Sequence, residues 1–353
     1  MHVGYASIFQ ASAERSDHEV YRDELRLADL AEPLGFESVW GVEHHFTDYT
    51  MCPDVLQFLT YMAGRTTKVQ LGSMVVVLPW HDPIRVAEQV SMLDNLSGGR
   101  MILGMGRGLG QVEFGGFRVP MDESRERFVE AAEMILAGLE DGYVKYEGTH
   151  FSQPHRELRP APFKSFKGRT YAAAVSPESS RIMAQLGVGI LIIPQKPWDS
   201  MMAELGTYQE LYREINEAEA PPTVSAGWVF CDEDADRAKE MATRYIGGYY
   251  HTVLEHYQLS GDHFAGTKGY EYYGKMSQAL NKYGEQSGVD FFVDLQIYGT
   301  PEQCLEKIMD VRSMVGNDTF VAVCSYADMP TDEAERNLRL FSDTVRPKLQ
   351  ATK

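Results

Sequence analysis

The chain has 353 residues, 44% of them hydrophobic, and carries 33 Lys and Arg against 51 Asp and Glu, a formal net charge of −18. That is apolar material enough for one large core or two smaller ones, yet no stretch reaches the ~20 consecutive apolar residues of a membrane-spanning helix. The acidic balance argues against nonspecific nucleic-acid binding, although a local arginine can still hold a phosphate.

Strand-like and helix-like segments alternate almost from end to end. Residues 2–9 (HVGYASIF) read as a first strand, with no basic region ahead of the apolar residues as a secretion signal would have. Residues 20–34 carry the spacing of an amphipathic helix, and 38–43 form a second strand ending in Glu43-His44-His45. A helix over 53–64 is followed by the valine-rich run 71–78, which reads as one strand buried on both faces. Asp82-Pro83 supplies an N-cap and a first-position proline. Ile84, Ala87, Val90, Leu93 and Leu96 then recur as an apolar stripe up to Gly98-Gly99. The strand 101–106 follows and delivers Arg107 into a glycine-rich loop reaching Gly116. Strand, helix, strand in about forty residues is a βαβ unit with parallel strands.

Further on, the sequence predicts a helix over 123–139, a hairpin over 143–152 and a strand over 170–175 that ends at Ser176-Pro177-Glu178-Ser179. Strands over 189–193 and 223–230 each precede a helix, starting near Asp199 and from Asp234. Between about 259 and 290 the alternation fails, and the segment is expected to be a long loop inserted late in the fold, a lid. A strand over 291–298, a capping box at Thr300 to Gln303, a strand over 319–325 and a helix from Thr331 complete the series. Eight or nine strand–helix repeats with no linker describe a single α/β domain over 1–353, a (β/α)8 TIM barrel with a long insertion. A doubly wound open sheet is the alternative, weakened because no G-x-G-x-x-G follows the first strand. Cys52, Cys231, Cys304 and Cys324 lack C-x-x-C spacing and read as free thiols in a reducing cytoplasm.

Polar residues at the carboxyl ends of barrel strands share one mouth. Three clusters fall there: Glu43-His44-His45, Arg107, and Ser176 with Ser179. Successive residues of an extended strand point to opposite faces, so His44 and His45 are poor co-ligands for one metal. No further His/Asp/Glu constellation completes a metal site, and one histidine should face the mouth while the other packs behind. The helix turn at Ser176 and Ser179 offers N–H groups and hydroxyls to an anion that Arg107 can also grip. The plainer reading makes Ser176 an N-cap and Arg107 a surface charge. Gly104, Gly106, Gly108 and Gly110 are loop punctuation or room for a flat ring beside the backbone. Tyr249, Tyr250, Tyr270, Tyr272 and Tyr273 either pack the lid or wall an apolar pocket. No Ser/His/Asp order, G-x-S-x-G elbow or Walker loop is present.

In the order GVEHHFTD (41–48), VVVLPWHDPIRVAEQVSMLDNLSGGR (75–100), GMGRGLG (104–110), SRERF (124–128), AVSPESS (174–180), GGYY (247–250) and YGTPEQCLEKI (298–308), the chain resembles the bacterial luciferase-like flavin-dependent monooxygenases, most of all the alkanal monooxygenase branch. The resemblance implies a barrel that binds reduced FMN (FMNH2) made by a separate NAD(P)H:flavin reductase. Oxygen would add to the flavin as a C4a-hydroperoxide that oxygenates a small apolar organic substrate, by hydroxylation or Baeyer–Villiger insertion. His44 matches the catalytic histidine, with His45 beside it. Arg107, Ser176 and Ser179 match FMN-phosphate positions, with Val175 contributing backbone, and Arg125 aligns with an arginine of the strand-four loop region. Met74-Val75 falls where the family carries a non-proline cis peptide against the isoalloxazine ring, and Gly106 lies at the flavin edge. The helix over 83–96 matches a dimer-forming surface, which implies a homodimer.

Luciferase catalytic subunits carry a cysteine where this chain has Gly106, which opens space there, a glutamate at Val175, and more tryptophan near Tyr250. These departures point away from light emission and a long-chain aldehyde and toward a bulkier apolar substrate. An F420-dependent reductase of the same superfamily and a flavin-binding paralogue without turnover are the competing readings.

Overall fold

The computed structural model describes residues 1–10, 15–173 and 177–352. In chain order its elements are β1 (His2–Ser7), α1 (Asp17–Ala31), β2 (Ser38–Gly41), α2 (Val55–Arg65), β3 (Gln70–Ser73), β4 (Val76–Val77), α3 (Pro83–Ser97), β5 (Met101–Gly106), α4 (Gln111–Phe117), α5 (Ser124–Asp141), β6 (Tyr143–Glu147), β7 (Ser152–Glu157), β8 (Thr170–Ala173), α6 (Pro177–Leu186), β9 (Gly189–Ile192) and α7 (Trp198–Asn216). They continue with β10 (Val224–Cys231), α8 (Ala235–His256), α9 (Glu271–Tyr283), α10 (Glu285–Asp294), β11 (Ile297–Gly299), α11 (Pro301–Val315), β12 (Thr319–Val323), α12 (Thr331–Thr344) and α13 (Arg346–Ala351).

Eight parallel strands close on themselves in the order β1-β2-β3-β5-β8-β9-β10-β12, the ring sealed where Tyr5 pairs with Ala322 and Val224 with both Leu191 and Thr319. This is the expected (β/α)8 barrel. Every residue of β5 and of β10 is buried, because the inner face meets side chains across the barrel and the outer face meets the helices. That double burial is why these strands read as continuous apolar runs. The hairpin β6–β7 stands apart as a two-stranded antiparallel ribbon.

Helix ends follow local chemistry. Ser16 and Glu19 form a reciprocal capping box that starts α1 before the apolar stripe begins. Asp82 caps α3 and left-handed Gly98 ends it, while Thr300 and Gln303 box the start of α11. Within α3, however, Leu96 is 57% exposed instead of buried. A strict three-residue spacing falls behind the 3.6-residue turn by about 60° per step, so the stripe has rotated off the core by its fifth member.

Three segments depart from expectation. The run 71–78 is not one strand: β3 stops at Ser73, the Met74–Val75 peptide is cis at the position the resemblance implied, and only Val76–Val77 pair again with β5. The glycines of β5 admit this excursion. A Cβ at Gly104 would lie 2.0 Å from the Ser73 carbonyl oxygen, and one at Gly106 would lie 2.1 Å from Val75 Cγ2. The glycine-rich stretch after Arg107 contains a helix, α4, started by backbone alone at Gly110. Finally, 259–290 is no structureless loop, since α9 and α10 occupy most of it, and the expected strand over 291–298 shrinks to β11 beside β10. The helical period of α9 runs through Tyr270, Tyr273, Ser277 and Leu280, a face whose tyrosines and serine hide it from any count of aliphatic residues.

One buried acid on α1 gives a pH-dependent expectation. Burial pushes the Glu24 carboxyl up to about 7, against the pull of the Ser325 hydroxyl that donates to it at 2.5 Å and of Arg15. The folded chain therefore keeps this proton while the unfolded chain loses it from about 4.5 upward. The resulting destabilisation grows between pH 4.5 and 7 and is constant above. Glu24→Gln is expected to leave the urea midpoint unchanged near pH 4 and to stabilise the fold by about 2–3 kcal/mol at pH 8. Equal midpoints at pH 8 would contradict this.

Candidate active site

The carboxyl ends of the strands open into one cleft of about 1370 Å3, its open mouth included. One side is built on the β2 end. His44 lines the cleft and His45 does not, as alternation along an extended segment requires. His45 is buried behind, its Nε2 3.1 Å from Glu43 Oε1 and its ring edge-on to Phe117 and Trp80. Glu43 also accepts from His81 Nε2 at 2.6 Å and from the Val77 N–H at 2.9 Å, which ties the β2 end to the segment after the cis peptide. Burial raises the Glu43 carboxyl, but the two imidazoles and the Val77 N–H outweigh it and hold it below the usual range. Burial lowers the His81 imidazole, and Glu43 overcompensates and raises it.

His44 itself is braced by a residue the sequence did not single out. Glu113, on α4, is fully buried, and its Oε1 lies 3.1 Å from His44 Nδ1 and accepts the His45 N–H at 2.9 Å. Burial pushes this carboxyl up, yet the imidazoles of His44 and His256 beside it bring it down to about 2, so it is ionised. An ionised carboxylate only accepts, which fixes the His44 proton on Nδ1 and leaves Nε2 directed at the cleft, 3.4 Å from the Tyr257 hydroxyl. His256, at the end of α8, brings Nε2 to 3.5 Å from the same Glu113 oxygen. The donor atoms of His44, Glu113 and His256 all lie within 4.8 Å of one another. The expectation that no further His/Asp/Glu constellation joins these histidines is corrected for His44, which the fold brings beside Glu113 and His256. Because Glu113 already accepts from a ring and a backbone amide, the arrangement is a carboxylate–imidazole network. Neither Glu113 nor His256 could be found from spacing, since Glu113 sits in a glycine-rich stretch with no helical signal and His256 lies 212 residues from His44 along the chain.

The opposite side is cationic. Arg107 leaves β5 with Nη1 buried and without a hydrogen-bond partner among the described residues. Its guanidinium carbon lies 4.1 Å from the centre of the Tyr270 ring, while the Tyr270 hydroxyl receives from Ser124 at 3.0 Å and donates to the Gly108 carbonyl at 2.9 Å. Gly269, at φ +85°, lets the backbone pass close: a Cβ there would sit 2.6 Å from Arg107 Nη1 and 3.2 Å from Arg125. Arg125 lines the cleft too, as does Ser179 in the first turn of α6. Val175 and Ser176 lie outside the described residues. Between the two sides, Met74, Val75, Leu109, Leu191 and Ile193 form an apolar wall. The space expected at Gly106 is filled by Val75, whose Cγ2 stands where a larger residue would put its Cβ. Tyr250 and Tyr273 reach the cleft from α8 and α9, whereas Tyr270 packs on Arg107.

The chain is 26% identical over 340 residues to an alkanal monooxygenase alpha chain of Photorhabdus luminescens, covering 95% of this chain and 94% of that one. Its fold matches the crystal structure of the monooxygenase RslO1 from Streptomyces bottropensis with a TM-score of 0.81, 26% identity and 99% of each chain covered. The same fold, at 20% and 16% identity, appears in the oxygenating constituent of 3,6-diketocamphane monooxygenase from Pseudomonas putida, a type II Baeyer–Villiger enzyme in complex with FMN (TM-score 0.72, 99% and 98% covered), and in an F420-dependent secondary alcohol dehydrogenase (TM-score 0.73, 98% of each). With the luciferase-like monooxygenase family model matching residues 1–318, the chain belongs to that family and is an enzyme of the luciferase-like flavin-dependent monooxygenase type.

Proposed function

We propose that this enzyme is the oxygenase of a two-component system that takes FMNH2 from an NAD(P)H:flavin reductase and inserts one atom of O2 into a small apolar organic substrate, by hydroxylation or Baeyer–Villiger chemistry. The observation that carries the reading is the polarity of the cleft: on one side Arg107, whose buried Nη1 has no hydrogen-bond partner among the described residues, on the other a carboxylate-braced imidazole, His44, and an apolar wall between them. Arg107, Arg125 and Ser179, with Val175 and Ser176 as the resemblance implies, would hold the FMN phosphate, and Met74, Val75 and Gly106 would face its ring. Bound reduced flavin supplies the electrons that activate O2. His44 accepts or returns a proton at Nε2 while Glu113 keeps Nδ1 protonated. His45 holds the loop through Glu43. Leu259, Met276 and Tyr273 line the lid side and exclude water.

Among the described residues the cleft wall carries two guanidinium groups, Arg107 and Arg125, which suits one phosphate better than the longer acidic tail of F420. Exposed Met92 and Leu96 on α3 support the homodimer, and four buried free thiols support a cytoplasmic setting. Among the described residues no helix is long and apolar enough to cross a membrane.

Anaerobic titration with FMNH2, then with reduced F420, followed by rapid mixing with oxygenated buffer, tests the cofactor assignment. The reading expects saturable FMNH2 binding and flavin reoxidation slower than that of free FMNH2. Reoxidation at the free rate together with tighter F420 binding would replace it with the deazaflavin enzyme.

A further inference from the structure

Glu113 serves two imidazoles, and only one of them lines the cleft. His256 ends α8 with its side chain 1% exposed, in a box of aromatic rings. Tyr49 stacks on it at 4.7 Å, Tyr257 lies edge-on at 4.8 Å, and the His44 ring stands perpendicular at 5.3 Å. Its Nδ1 lies 2.7 Å from the Thr47 hydroxyl, and its Nε2 lies 3.5 Å from the Glu113 oxygen that holds His44. The groups that face it are therefore Glu113, His44, Tyr49, Tyr257 and Thr47, with His45 acting on it by charge from behind. Burial lowers the His256 imidazole, against the pull of Glu113, which favours the neutral ring with its single proton. With an ionised carboxylate beside Nε2, that proton belongs on Nε2, and the Thr47 hydroxyl donates to Nδ1. At 3.5 Å the Nε2 contact is electrostatic and not a formed hydrogen bond, and Glu113 Oε2 has no hydrogen-bond partner among the described residues. The carboxylate thus keeps acceptor capacity that neither ring has taken up.

We propose that His256, oriented by Thr47, is a positioning residue that sets the basicity of His44 by competing with it for Glu113. This rests on His44 being the proton-transfer group. Glu113 divides one negative charge among its donors. Each donor that Glu113 accepts reduces what the carboxylate offers the others, and a carboxylate less committed to His256 stabilises protonated His44 more strongly. Removing the His256 donor would therefore raise the His44 pKa, and the unprotonated base would be reached only at higher pH. Thr47 acts one step further out. Without its hydroxyl the two tautomers of His256 are no longer distinguished, and an Nε2 lone pair turned toward Glu113 repels it.

The test is the pH profile of kcat/KM for the oxygenation, with FMNH2 supplied in excess, in the parent enzyme and in His44→Ala, His256→Phe, His256→Gln and Thr47→Val. Phe keeps a flat ring in the aromatic box, and Gln restores an N–H near the Nε2 position. The expected result is an acidic limb moved up by about 0.5–1 pH unit in His256→Phe, a smaller move in Thr47→Val, and a limb near that of the parent in His256→Gln. A His256→Phe enzyme of lower kcat with an unmoved limb would reduce His256 to packing and overturn the proposal. If His44→Ala kept the parental limb, His44 would not be the titrating group and the reading of the site would fail instead. Near-ultraviolet circular dichroism of each variant, matched to the parent, separates both outcomes from misfolding.

Discussion

Replacing His44 by alanine is expected to lower coupled oxygenation about 10²–10⁴-fold while leaving FMNH2 affinity within about threefold of the parent. The expectation follows from where the ring's two nitrogens point. Nδ1 is spent on Glu113, and Nε2 is the basic nitrogen that meets the cleft from that side. Alanine removes the group that exchanges protons but no part of the cationic side. The coupling ratio, product formed per O2 consumed, is the measurement. A rate within about threefold of the parent would remove His44 from the chemistry. His44→Gln makes a useful companion, because an amide can keep a hydrogen bond to Glu113 without accepting a proton, so it should be as inactive as alanine.

Arg107→Ala should show the complementary pattern. The guanidinium is held ready by stacking on Tyr270, and its buried Nη1 has no hydrogen-bond partner among the described residues, so a phosphate would gain charge-assisted bonds without much reordering. Such bonds are worth about 1.5–3 kcal/mol, which converts to roughly 10–150-fold in the dissociation constant. Lysine at 107 should recover part of the loss as a point charge, but not the stacking or the fork geometry. Riboflavin, which lacks the phosphate, provides the control: the variant should bind it about as well as the parent does. If FMN affinity were unchanged, Arg107 would be a lid anchor only, and the phosphate would have to be held by the α6 turn.

How much of this was legible in the sequence depends on how local the determinants are. The barrel was, because strands buried on both faces and capped amphipathic helices are written in short windows, as at 82–106. His44 and Arg107 were legible as strand-end residues. The lid was misread because α9 packs through Tyr270, Tyr273 and Ser277, residues whose burial is decided by the cleft they cover. The break in the run 71–78 was invisible from that run alone, since the room for it is made by the glycines of β5 thirty residues later. Glu113 and His256 were missed for the same reason at longer range: a carboxylate in a glycine-rich stretch and a histidine at a helix end become a network only when the barrel brings α4 and α8 to the second strand. Val175 and Ser176, placed by resemblance, lie outside the described residues.

The contact between Val75 and Gly106 carries a consequence for how relatives of this enzyme diverge. A Cβ at 106 would stand 2.1 Å from Val75 Cγ2, and a β-branched side chain has few rotamers with which to step aside. The two positions therefore constitute a single joint choice. A lineage that acquires a side chain at 106 must first, or simultaneously, lose volume at 75, so Gly106→Ala should be tolerated on a Val75→Gly background and poorly tolerated alone. The sign of that epistasis makes the wall facing the proposed ring a place where substrate preference changes by paired steps, with the order of substitutions constrained by a single methyl group.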